Sequence, residues 1–205
     1  MWALVEDNAI TKIIKQPKAM LIGDVRHSRN IFSSRWTNEE REAIGIYEVV
    51  FDNSNKKDEA YYTNTNQSFD YADGQVTASY GTATPKLLED RNETNEDGSP
   101  VLDADGNQVV TKGLKSQKKQ IIKNQAGGLL EKTDWHNHKA LDDDTYTIPA
   151  NIKTYRSDVR TKSNEMETAI DNASDVDALA SLYEYTEQAD GSHARPLGEW
   201  PTLED

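Results

Sequence analysis

Gly113-Leu114-Lys115-Ser116-Gln117-Lys118-Lys119-Gln120-Ile121-Ile122-Lys123 is the stretch where the spacing of apolar residues changes from two to about 3.6. From it onward, Leu114, Ile121, Ile122, Gln125 and Leu129 share one side of a helix, and Lys115, Lys118, Lys119 and Lys123 share the other. A second helix opens at Pro149, whose missing amide proton costs nothing in a first turn. Its stripe is Ile152, Tyr155, Val159, Met166 and Ile170, which recur at helical spacings over about six turns. A third helix is expected from a Ser174 cap, burying Val176, Leu179, Leu182 and Tyr183. From Gln188 onward, Pro196, Gly198 and Pro201 predict an extended tail.

Upstream of Gly113 the pattern is that of short strands. Segments 2–5, 10–14 and 19–22 are apolar and β-branched, with Asp7-Asn8 as the turn between the first two. Thr37-Asn38-Glu39-Glu40 reads as a capping box for a short helix that Gly45 stops, and 46–51 resumes a strand. Asp73-Gly74 predicts a hairpin between Phe69/Tyr71 and Val76/Tyr80, and Asp105-Gly106-Asn107 predicts another. Residues 89–98 read as an exposed acidic loop. The expected fold class is α+β: a β-rich domain with hairpins over 1–111, a helical hairpin plus a third helix over 112–187, and an extended tail over 188–205.

Composition narrows the functions open to this chain of 205 residues. Only 35% of residues are hydrophobic, yet four Trp, nine Tyr and three Phe argue for a folded chain with extended or partner-dependent parts. Without cysteine there is no disulfide or thiolate chemistry. No apolar run is long enough for a bilayer and the start lacks a secretory pattern, so a soluble protein without membrane or secretion signal is expected. The net charge of -13 disfavours nucleic acid as a partner. Residues 112–132 nevertheless hold six Lys against one Glu, a basic segment between two acidic ones. It reads as a solvated helical face or a surface for a partner's acids.

No constellation reads as catalytic, so no enzyme activity and no cofactor are expected. Asp103-Ala104-Asp105-Gly106-Asn107 lacks the register of a calcium loop and fits a plain turn. His136 and His138 would share one side of a strand, with Asp142, Asp143 and Asp144 nearby as oxygen donors; without a third ligand at a known spacing, no metal is expected there.

Leu129-Leu130-Glu131-Lys132-Thr133-Asp134-Trp135, then Pro149, then Tyr155-Arg156-Ser157-Asp158-Val159-Arg160, resembles the C-terminal module of phage tail assembly chaperone and tail-fibre assembly proteins. There, a helix ends in two aliphatics and Ser/Thr-Asp-Trp, followed by a loop, a Pro and a helix carrying Tyr-Arg-x-x-Leu-Arg. The match spans residues 114–165; the front, including 46–80, resembles structural proteins of marine tailed phages. The resemblance implies a phage tail protein, made in the host cytoplasm, that binds a tail fibre or baseplate protein without catalysis. The leading expectation is a structural connector kept in the virion tail, the alternative a transient fibre-assembly chaperone, with a homo-oligomer as a further form of partnership; a metal-dependent enzyme using His136 and His138 is the least favoured reading. In the phage-tail reading Trp135 covers the open end of the helical hairpin, and Tyr155 and Val159 pack inside it. Exposed Arg156 and Arg160 would meet partner carboxylates, and the tail would anchor on a partner through Leu197, Trp200 and Leu203.

Overall fold

The computed structural model describes residues 1–204. They form two compact units, the first spanning Met1–Thr84 and the second beginning at Pro85.

In the first unit, β1 (Trp2–Glu6) and β2 (Ala9–Ile14) are joined by Asp7 and Asn8. Both turn residues have positive φ, 50° and 62°, as a two-residue hairpin loop of the I′ type requires. A second hairpin pairs β3 (Met20–Ile22) with β4 (Val25–His27), and a 3₁₀ turn over Arg29–Phe32 sends Ile31 and Phe32 inward. The predicted capping box opens α1 (Asn38–Glu42): the Glu40 amide donates to Thr37 Oγ1 at 3.2 Å, and the Thr37 amide donates to the Glu40 carboxylate at 2.8 Å. Gly45 then turns at φ 80°, where a Cβ would lie 2.6 Å from the Val5 carbonyl oxygen.

The chain continues through β5 (Ile46–Asp52), β6 (Tyr62–Thr63), β7 (Ser68–Ala72) and β8 (Gln75–Ser79). A curled sheet of order β2-β1-β5-β8-β7 results, antiparallel except between β5 and β8. Alternation along β1 feeds two cores. Leu4 joins Ile14, Met20, Ile31, Phe32 and Ile46, whereas Ala3 and Val5 join Val49, Val76 and Ala78. The sheet is therefore covered by apolar side chains on both faces, and its hairpin at Asp73-Gly74 has positive φ at both residues.

The second unit contains α2 (Leu114–Glu131), α3 (Asp134–Asp142), α4 (Ala150–Asp171) and α5 (Val176–Ser181). Its boundary at Pro85 precedes the break expected after residue 111, because the segment before Gly113 is tied to the start of α2. The amides of Leu114 and Lys115 donate to the carbonyls of Leu87 and Leu88 at 2.8 and 3.1 Å, and the Gly113 amide donates to Asp90 Oδ1 at 2.9 Å. These bonds satisfy donors that a helix start leaves open. A Cβ at Gly113 would come within 2.4 Å of the Glu89 backbone, so glycine permits the approach. The 89–98 loop is less free than expected: Arg91–Asn92 pairs with Val110–Thr111, and Asp97-Gly98 and Asp105-Gly106 make turns of one kind.

α2 and α4 pack side by side as the predicted hairpin, with Tyr155 and Val159 buried against Ala126. Ile152, Met166 and Ile170 continue the buried stripe. On α2 the inward side is rotated from expectation: Leu114, Lys115, Ile122 and Ala126 are buried while Ile121 is 46% exposed. The third helix is capped by Asp175, whose carboxylate accepts the Ala178 amide at 2.7 Å, and not by Ser174. The tail, expected to be extended and anchored on a partner, is a further correction. A hairpin of Thr186–Glu187 with His193–Ala194 leads to Leu197, which is 2% exposed and donates its amide to the Leu182 carbonyl. Trp200 then packs on Ala126, Tyr155 and Val159 with Leu129 and Leu130.

Candidate protein-interaction surface

The surface is built on the end of α2. The Leu130 carbonyl accepts from the Thr133 amide at 3.0 Å, the Thr133 hydroxyl at 2.9 Å and Arg156 Nη1 at 2.7 Å. Arg156 also donates to Thr133 Oγ1 at 2.6 Å and pairs through Nη2 with Asp134 at 2.7 Å. A guanidinium from the second turn of α4 thus closes the C-terminal end of α2, where carbonyls lack helical partners and the dipole favours a cation. Arg156 is buried, which corrects its expected role as an exposed contact for a partner.

Residues after Thr133 form α3 in place of the expected loop. Starting the helix at Asp134 turns residue 135 outward and residue 136 inward, because successive side chains are about 100° apart. Trp135 is therefore 54% exposed and does not close the hairpin, a second correction. Its indole stacks on the buried His136 ring at 3.7 Å between centroids, and His136 Nδ1 shares a hydrogen bond with the Tyr146 hydroxyl. Lys139 Nζ lies 4.3 Å above the Tyr146 ring. Tyr146 was not singled out by the sequence, and its spacing from Trp135 carries no periodic signal.

Along α3, Trp135, His138 and Leu141 form an i+3 ridge of exposed side chains, Leu141 being 80% exposed. Asp142, seven residues past Trp135, returns to the indole's side of the helix. His136 and His138 stand two apart on a helix, about 200° around its axis, so their rings do not converge. Among the described residues no three His, Asp or Glu side chains are gathered as metal ligands. The Asp103 carboxylate accepts the amides of Asp105 and Asn107 at 2.9 and 2.8 Å, and these bonds, led by that of Asn107, hold it below the usual carboxylate range.

The basic segment faces acids of its own unit. Lys112 pairs with Asp90 at 2.8 Å, Lys119 with Asp171 at 2.6 Å and Lys123 with Glu167 at 3.4 Å. Lys115, buried, reaches Glu89 and the Asp171 carbonyl at the end of α4. The Lys112 bond, then the Gly113 amide and Ser116, bring the Asp90 carboxyl down to about 2. Among the residues expected to meet a partner, Arg160 and Leu203 are exposed, whereas Leu197 and Trp200 belong to the unit's own packing. Among the described residues no helix is long and apolar enough to cross a membrane. No protein-family profile, curated protein or solved structure matches the chain.

Proposed function

We propose that this chain is a non-enzymatic connector of a phage tail, binding a tail fibre or baseplate protein through α3. One observation carries the reading: the tryptophan that ends the Thr-Asp-Trp motif is presented to solvent on a ridge with Leu141, while Arg156 and Asp134 anchor the helix beneath it. Exposed large apolar side chains on a rigid element are what protein interfaces use as anchors. The order of motifs over 114–165 supports a tail protein as the setting.

The test is particle composition. Mass spectrometry of purified virions is expected to find the chain at fixed stoichiometry, and Trp135→Ala is expected to remove it without unfolding it. A chain that binds the fibre in infected cells but is missing from finished particles would replace the connector with the assembly chaperone. A Trp135→Ala chain incorporated normally would overturn α3 as the contact.

A further inference from the structure

We propose that the partner of α3 offers an arginine flanked by an aliphatic residue, the guanidinium lying on Trp135 and the aliphatic covering Leu141. This rests on the reading of α3 as the contact surface and adds the chemistry of its occupant.

Three observations converge on a cation. The Trp135 indole is stacked by His136 at 3.7 Å, has Tyr146 tilted 6.4 Å away, and is 54% exposed, so it presents aromatic surface to a planar group. The same aromatic cluster already binds one cation, since Lys139 Nζ sits 4.3 Å above the Tyr146 ring. The carboxylates around the ridge then set the sign. Asp142 shares the face of Trp135, and the exposed Asp144 and Glu131 follow and precede α3 in the chain. Asp143 is held in the turn by the Thr145 hydroxyl and amide, and Asp134 by Arg156, so neither is the one facing a partner.

Arginine suits the place better than lysine. Its guanidinium is flat, stacks on an indole and leaves its edge N–H groups for a carboxylate such as Asp142. Leu141, 80% exposed and one helical step beyond His138, gives the apolar neighbour a place to pack.

The experiment uses the full chain and three short peptides, acetyl-Ala-Leu-Arg-Ala-Leu-Arg-Ala-amide and its counterparts with Gln or Glu replacing Arg. The Trp135 indole N–H resonance, assigned by its loss in Trp135→Ala, is followed during titration. A saturable shift is expected with the Arg peptide, about tenfold weaker binding with the Gln peptide, and none with the Glu peptide. Asp142→Asn with Asp144→Asn should weaken the Arg peptide toward the Gln value. Equal binding of the Arg and Gln peptides, indifference to the Asp changes, or no saturable shift with any peptide would overturn the proposal. Concentration-dependent shifts without peptide would also overturn it, in favour of a second copy of the chain. Particle composition separates the two readings: normal loss of Trp135→Ala from virions with no charge preference sinks only the arginine, whereas Arg-peptide binding with normal incorporation sinks only the tail contact.

Discussion

At the scale of single residues, the motif that drew attention in the sequence divides into anchor and display. Arg156 is buried with three oxygen partners, and Trp135 is half in solvent. Their replacement should therefore have opposite consequences. Arg156→Ala leaves the Leu130 carbonyl and Thr133 without their charged donor and Asp134 without its counter-ion. Since the Asp134 side chain is 46% exposed, the loss is expected at about 2 kcal/mol and not at the full cost of a buried pair, read as a lower melting temperature of the helical unit. Trp135→Ala is expected to change stability by under ~1 kcal/mol. The sequence made Tyr155 and Val159 legible as core because their spacing repeats. It did not distinguish Trp135 from them, since which of two neighbouring residues points inward depends on where α3 begins. Asp90 supplies a pH test at the same scale. Its folded carboxyl, at about 2, lies below the ordinary 3.8, so its contribution to stability is fully present above that ordinary value and is lost as pH falls through about 2. Urea midpoints of wild type and Asp90→Asn should differ at neutral pH and converge as pH approaches about 2.

At the scale of elements, local chemistry was read correctly where the deciding atoms are neighbours in sequence. The Asp7-Asn8 and Asp73-Gly74 turns and the Thr37 capping box are all set within a few residues, and all are present. α3 escaped because a short polar helix has little apolar period, and its start is secured by Arg156 from another helix. The lysines of α2 were legible as a group but not the turn that buries Lys115 and exposes Ile121, because their acidic partners lie as far off as Asp171. Gly127 and Gly128 show what the helix can still gain. Both are exposed within α2, with open space where a Cβ would stand. Glycine in such a position costs roughly 0.5–1 kcal/mol relative to alanine. Gly128→Ala should raise the melting temperature of the helical unit, and an unchanged or lower value would show that the backbone there needs its freedom. Gly45→Ala should do the reverse in the first unit, where φ is 80° and the Val5 carbonyl blocks the added carbon.

At the scale of the whole molecule, the division into two units and the course of the last residues were the least legible features. Composition marks Trp200 and Leu197 as too apolar for a free acidic end, but the surface that receives them is assembled from α2, α4 and the Leu182 region. Trp200 donates its indole N–H to Gln125 at 3.1 Å, 75 residues away, and Asn151 donates to the Glu204 carbonyl at 3.2 Å. An extended segment with prolines forms little structure alone, so its order comes from these contacts, and the contacts in turn seal the apolar side of Ala126, Tyr155 and Val159. Truncation before residue 195 should therefore destabilise the helical unit. Leu197 alone, 2% exposed, is worth about 3 kcal/mol when cut to alanine. With two compact units, heat unfolding of the truncated chain should show the helical transition moved down while the transition of 1–84 stays in place. A truncated chain that melts like the full one would mean the tail contributes nothing to this unit's stability, and would return Leu197 and Trp200 to the partner-binding role expected from the sequence.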